Sequence, residues 1–393
     1  MSAARPRIAH PDRRLYAVLA ESGFAEDLFN PRQHESCELV EHYVLHRAIQ
    51  LVDRLGIADA LARGADVEQL SADGGFAPAF VRPLTWLLER LVAAGLVVRE
   101  GRSYRLPRAL PPVALDEIRA AGLALDPGYA AAYALVDECT AIYVKVAHGE
   151  TSGERALFLR AALWAAYFDN RNGYYALTNR VAASALARRL PARDAHVLEV
   201  GGGLGSATQA LIDALHQHAS LGAVASYRFT EPVAFFRRRA ERTLAAAPPA
   251  LPLVFDALDL NLPWAAQGVE PGSLNAVWGV NVFHLARNLR AVLREALAAL
   301  APGGWIVIGE GVRPFPGTPV GAEFPFQLLG AFFDVELDAE RTDAGFLTAE
   351  QWQQALASAG FSSIDLVPDA VRLRSIHPAF YAAAICGRRP SGT

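Results

Sequence analysis

Cysteine is scarce: Cys37, Cys139 and Cys386 are the three thiols in 393 residues. An odd number without paired spacing argues against a disulfide framework and suits a reducing cytosol. No uninterrupted apolar run reaches the roughly 18 residues of a membrane span, and the start MSAARPRIAHPDRR leads into no apolar stretch of the signal-peptide kind. A soluble, cytoplasmic chain is therefore expected. Charge of one sign is also lacking, with Lys+Arg 37 against Asp+Glu 41 and a pI of about 6.2. That balance supplies no electrostatic footprint for nucleic acid. Lysine is nearly missing (Lys145 alone) and alanine is plentiful, a bias of GC-rich bacterial genomes from which no function follows. What the chain does have is core material. Hydrophobic residues make up 52% and charged residues 20%, which excludes a disordered chain. The length predicts two domains.

Residues 1–30 are polar and punctuated by proline, and are expected to form an N-terminal arm that folds only against something else. Over 31–110, apolar positions Leu39, Tyr43, Leu51, Val52 and Leu55 recur at helical spacing until Gly56 and Gly64. A second helical pattern after Pro83 carries Leu84, Leu87, Leu88, Leu91 and Val92, with Gly95 where a helix end wants a left-handed residue. Two strand-like runs follow, Leu96–Arg99 and Ser103–Leu106. Helix, helix and hairpin make a winged-helix-like pattern. Its last helix carries few charges, and Arg99, Arg102, Arg105 and Arg108 lie on or after the wing rather than clustering for phosphates. A packing or dimerisation module is the favoured reading. A homodimer through residues 1–110, with Leu39, Tyr43 and Leu51 at or near the interface, is expected.

Residues 111–190 read as all-helical. The stretch LWAAYFDNRNGYYALTNRVAA interleaves Tyr167, Phe168, Tyr174 and Tyr175 with Asn170, Asn172 and Asn179. Two readings stand: aromatic packing with Asn caps, or a pocket wall in which Tyr167, Asn170, Tyr174 and Tyr175 orient a polar ligand. From about residue 191 onward, strands and helices alternate, beginning with His196–Val200. Such alternation predicts an α/β, doubly wound, Rossmann-like sheet. Thr348 and Gln351 form a capping box for a helix ending near Gly360.

The sharpest local signal is VLEVGGGLG, at the end of the first strand of that sheet and opening a helix. Gly201, Gly203 and Gly205 would let a ligand approach the backbone. The spacing, Glu-x-Gly-x-Gly-x-Gly, departs from the dinucleotide fingerprint, and Glu199 stands two residues before the first glycine. A pyrophosphate disfavours a carboxylate there. A ligand bearing an ammonium and a sulfonium tolerates it, which points to S-adenosyl-L-methionine (SAM), with S-adenosyl-L-homocysteine (SAH) as product. Glu231, at the end of the second strand, is placed to accept from ribose hydroxyls. Asp259 and Leu260, after the third, are placed for the adenine amino group and ring.

Residues 194–390 resemble the class I SAM-dependent methyltransferases, particularly the C-methyltransferase domains of polyketide synthases. The resemblance rests on VLEVGGGLG, YRFTEPVAFFRRRAE, ALDL, GVNVFHLARNL, LAPGGWIVIGE and LTAEQWQQALASAGFSSIDL, in that order. It covers about half the chain and implies a SAM-binding methyltransferase domain over 191–393, with Asn281 among the cofactor contacts. The N-terminal pattern resembles the dimerisation domain of small-molecule O-methyltransferases. Leu204, Glu231 and Leu285-Ala286 depart from the polyketide pattern. No carrier or ketosynthase module accompanies the sequence, so action in trans is expected.

Methyl transfer from a sulfonium needs a positioned nucleophile and, for a weakly acidic OH or CH, a base. His284 stands just after the fourth strand of the sheet and Glu310 ends the fifth. Neighbouring strand tips would bring them together at the ligand crevice. A carboxylate beside an imidazole fixes its tautomer and stabilises the imidazolium. The resemblance assigns the same roles, His284 as base and Glu310 as its orienting partner. His42 and His46, with Glu38 a turn earlier, have a spacing able to hold a metal, yet no third histidine or cysteine is evident nearby; catalysis without a metal is expected. The reading is a methyltransferase of small-molecule secondary metabolism such as antibiotic assembly, favouring carbon over the oxygen of a phenol or enol. A non-catalytic SAM-binding protein or winged-helix regulator is the alternative of another class.

Overall fold

The computed structural model describes residues 12–24, 28, 30–245 and 251–392. Ten strands occur among them: β1 Val98–Glu100, β2 Ser103–Arg105, β3 Ala195–Glu199, β4 Val224–Thr230, β5 Leu253–Asp256, β6 Leu274–Val280, β7 Leu300–Arg313, β8 Leu347–Thr348, β9 Ser362–Val367 and β10 Ala382–Arg388. β1 and β2 form a hairpin apart from the main sheet, with Tyr104 of β2 bridged to Ala65. The main sheet runs β5-β4-β3-β6-β7-β10-β9, with β8 alongside the end of β7. β10 is antiparallel to β7 and β9; the other pairings are parallel. The central strands are apolar nearly throughout because helices cover both faces. Strand order reverses between β3 and β6, the place where α/β sheets open a crevice at their carboxyl ends.

One face of the sheet packs on helices Gly173–Ala187, Ser206–Gln217 and Ala234–Ala245, around Val181, Leu211, Tyr227 and Trp278. The other packs on Leu289–Ala299 and Ala349–Ala359, around Leu293, Ile306 and Trp352. The second of these helices has the expected capping box and ends on a left-handed Gly360.

A third core is helical. Helix Pro31–Arg54 lies at its centre, with Val81–Ala93, Leu115–Leu125 and Ala130–Ala147 around it. Arg99, Arg102 and Arg105 of the hairpin region pair with Glu89, Glu68 and Glu100 at 2.8, 2.5 and 2.9 Å. These cations therefore already have carboxylate partners.

Packing departs from the expected organisation in three places. Leu39, Tyr43 and Leu51 are at most 1% exposed, covered by this chain's own helices. The stripe expected at a dimer interface is a monomer core. Within the expected arm, Arg13–Glu21 is a helix capped by Asp12 that buries Leu15, Val18 and Leu19 against the sheet unit; residues 1–11, 25–27 and 29 of that arm lie outside the described residues. Finally, Val320, Phe324, Leu328 and Phe332, which follow β7, belong to the helical core. Phe324 stacks on Tyr143 at 5.7 Å, and Glu323 accepts from the Trp86 indole at 3.2 Å and from Arg313. Packing thus crosses the expected boundary near residue 190. No helix among the described residues is long and apolar enough to cross a membrane.

Candidate active site

β3 delivers the chain into the glycine loop, and helix Ser206–Gln217 leaves it. Gly203 sits at φ +55°, and a Cβ built there would meet no protein atom within 4 Å, because it would stand in an open cavity. Its N–H donates to Glu231 Oε2 at 3.1 Å, while Glu231 Oε1 accepts from the Val233 N–H at 2.8 Å. Two backbone donors thus hold the Glu231 carboxylate at the cavity wall. Its burial nonetheless raises its pKa.

Glu199 lies beneath the loop, with no exposure. Its Oε2 accepts from Thr208 Oγ1 at 2.5 Å and from the Tyr227 hydroxyl at 2.6 Å. Its Oε1 is buried with no hydrogen-bond partner among the described residues. Burial pushes this carboxyl up to about 7, against the pull of the two hydroxyls.

Across the crevice, β6 pairs with β7 so that Val280 lies opposite Gly309. That register sets the turn after β6 against Glu310. Glu310 Oε2 lies 2.7 Å from His284 Nδ1, and Oε1 accepts from the N–H groups of Val282 and His284 at 3.0 and 3.2 Å. With Nδ1 engaged, Nε2 is the ring nitrogen left for the cavity that His284 lines. Phe332 and Phe346 pack on the imidazole, centroids 5.8 and 5.1 Å away. Behind it, the buried Arg341 donates to the His284 and Ala286 carbonyls; burial lowers its pKa to about 10.

The cavity, about 400 Å³, runs from the glycine loop to His284. Gly201, Gly203, Glu231, Leu260, Asn281, His284, Tyr167, Tyr174 and Tyr175 line it. Asn281, at φ +54°, stands beside the Tyr175 phenol. Four expected site residues have other positions. Asp259 is exposed and accepts from the Asn261 N–H at 2.9 Å; Leu258 and Leu260 flank the cavity instead. Asn170 ties the helical unit to the glycine-loop helix by donating to the Ser206 carbonyl at 2.7 Å and accepting from Asn179. Gly205 opens its helix at φ +86° outside the lining. Glu199 underlies the loop without reaching the wall.

Residues 198–306 match the family described as "Methyltransferase domain". The α/β unit of this chain is a methyltransferase domain. A highly reducing polyketide synthase of Pyrenophora dematioidea is 33% identical over 175 residues, 44% of this chain. That match spans only 6% of the synthase's length. Two solved structures resemble the methyltransferase domain together with its helical partner. The CurJ carbon methyltransferase is 21% identical with a TM-score of 0.78, covering 96% of this chain and 98% of its own. The trans-methyltransferase CalH, solved with SAH, is 20% identical with a TM-score of 0.65, covering 92% of each chain. At these identities the likeness establishes the fold. It extends over the helical region as well as the methyltransferase sheet.

Several residues that line this cavity escaped the sequence reading: Phe158, Thr178, Phe326, Phe332, Phe346 and Tyr381. The one available signal was the density of phenylalanine in GAEFPFQLLGAFF.

Proposed function

We propose that this chain is a SAM-dependent methyltransferase that methylates an acidic carbon of a polyketide-type acyl acceptor. The observation that carries the proposal is the His284–Glu310 pair opening onto the same cavity as the glycine loop. The residues present suit SAM. The Gly203 face leaves space where a side chain would intrude, and Glu231 offers anchored carboxylate oxygens at the cavity wall. The SAH bound to CalH supports the same choice.

SAM supplies a methyl group on a sulfonium, which leaves as a neutral thioether. Everything else falls to the protein. Glu231 and the glycine loop would hold the nucleoside end, with Leu258 and Leu260 lining the cavity near it. His284 Nε2 takes the proton from the acceptor carbon, leaving on that carbon the electron pair to which SAM would supply its methyl group. Glu310, anchored by two backbone N–H groups, keeps the proton on Nδ1 beforehand and stabilises the imidazolium afterwards. Phe326, Phe332 and Phe346 exclude water and favour an apolar acceptor. Tyr167 and Tyr175 supply the polar orientation, whereas the Tyr174 hydroxyl is taken up by donating to Glu41 Oε1 at 2.8 Å.

An enol or phenol oxygen would use the same base, so product analysis decides between carbon and oxygen. Incubation with methyl-labelled SAM and β-ketoacyl thioesters, free and carrier-bound, should give a product whose labelled methyl is bonded to carbon by NMR. A methyl found on oxygen would replace the carbon reading. Absence of transfer to any acceptor in a panel spanning both classes would favour a non-catalytic SAM-binding role.

A further inference from the structure

On the far side of the Tyr174 and Tyr381 wall lies a second, smaller cavity of about 50 Å³, between helix Pro31–Arg54 and the end of helix Ala370–Ile376. His34, Glu38 and His377 line it. His34 and Glu38 are one turn apart on the long helix and share a face. His377 closes the other helix, its N–H donating to the Leu373 carbonyl at 2.7 Å. His377 Nε2 stands 3.1 Å from Glu38 Oε1, and the His34 and His377 rings lie 4.6 Å apart at 58°. One potential ligand atom from each of the three residues falls within 4.8 Å of the other two.

We propose that His34, Glu38 and His377 form a divalent transition-metal site, zinc first, that fastens the helical unit to the methyltransferase domain. Two imidazoles and one carboxylate are the donor set zinc takes, and at bonds near 2.1 Å neighbouring donors in a tetrahedron stand about 3.4 Å apart. The Glu38–His377 spacing is already close to that edge, and a His34 ring nitrogen lies within 4.8 Å of both partners. A dication serves all three groups at once. Ligation through His377 Nε2 places that ring's proton on Nδ1, so it binds neutral. The adjoining cavity has room for a water as fourth ligand. His42 and His46, the pair singled out by spacing, are not part of the cluster; His46 Nδ1 accepts from the Ala114 N–H at 2.9 Å.

Titration of chelator-treated full-length protein with zinc chloride alone tests this without reference to methyl transfer. One equivalent should bind, and Tm should rise with zinc concentration. His34→Ala and His377→Ala should each weaken binding by more than the roughly 10–100-fold that loss of an outer-shell partner costs. His216→Ala, at an exposed helix end, should leave it unchanged. Failure of the wild type to bind stoichiometrically, or unaltered affinity in both cluster variants, overturns the proposal. Should either variant fold poorly, X-ray absorption of the zinc-loaded wild type reads the ligands directly: two imidazole scatterers support the site, and an oxygen-only shell refutes it.

Discussion

Glu199 makes stability depend on pH in a direction opposite to that of an ordinary paired carboxylate. Buried under the glycine loop, it is raised from glutamate's ordinary 4.5 to about 7, chiefly by loss of water, with Glu231 adding repulsion. The folded protein therefore holds this proton more tightly than the unfolded chain does. Below about pH 4.5 both states are protonated and the contribution is fully present. As pH rises towards and through 7, the unfolded carboxyl is already ionised and the folded one must be ionised at a cost. The gap, at roughly 1.4 kcal/mol per pH unit, is worth about 3 kcal/mol. Glu199→Gln removes the titrating group while retaining an oxygen to accept from Thr208 or Tyr227. Urea unfolding of both proteins without SAM, from pH 5 to 8.5, should show wild-type stability falling relative to the variant by about 2.5 kcal/mol across that window, the rest having been lost below pH 5. Parallel curves would mean that Glu199 is ionised throughout, through water or a partner on Oε1, and the burial argument would be wrong.

Other outcomes follow from the site. His284→Ala should leave SAM affinity nearly intact while lowering kcat by on the order of 10²–10⁴-fold, with Glu310→Gln losing less; wild-type turnover from the alanine variant would make His284 a packing residue. Gly203→Val should abolish SAM binding by calorimetry, since its side chain would enter the open cavity at a backbone angle that β-branched residues avoid; unchanged heat would place the ligand elsewhere. Arg341→Met should strip the donors from the carbonyls of His284 and Ala286, costing about 1–3 kcal/mol of stability for each oxygen left dry. Turnover should fall with it while SAM affinity holds, and a variant with wild-type kcat would show that this loop stands without its guanidinium.

The sheet and both ends of its crevice were legible because they depend on local order. A buried strand running into glycines and a helix announces Gly201 and Gly203, and the tips of adjacent parallel strands had to bring His284 to Glu310. Asp259 was misplaced because its neighbours Leu258 and Leu260 face the cavity while its own carboxylate caps a turn, a difference of one residue that spacing does not resolve. Leu39, Tyr43 and Leu51 read correctly as a buried stripe, but periodicity says that a face is covered and not by what. Asn170 was recognised as special for the wrong reason, since it braces the loop rather than lining the pocket. Phe326, Phe332 and Phe346 escaped because a wall built from a long excursion between two strands has no period. His377 escaped for a related reason: its partners stand at the other end of the chain.

The excursion after β7 supplies both the aromatic wall of the cavity and the rings that pack on His284, yet it is anchored in the helical core through Phe324 and Glu323. On the proposed function, much of the acceptor chamber and the loop that would hold the methyl donor lie on separate stretches of the sequence. Drift or deliberate diversification at Ala322, Phe326 and Leu329 can resize the acceptor chamber while the loop from Glu199 to Gly205 stays untouched. Phe332 is less free, because the same ring that lines the cavity also packs on the His284 imidazole. On the proposed function, substitution at the first three should alter acceptor choice, whereas substitution of Phe332 should disturb His284 as well.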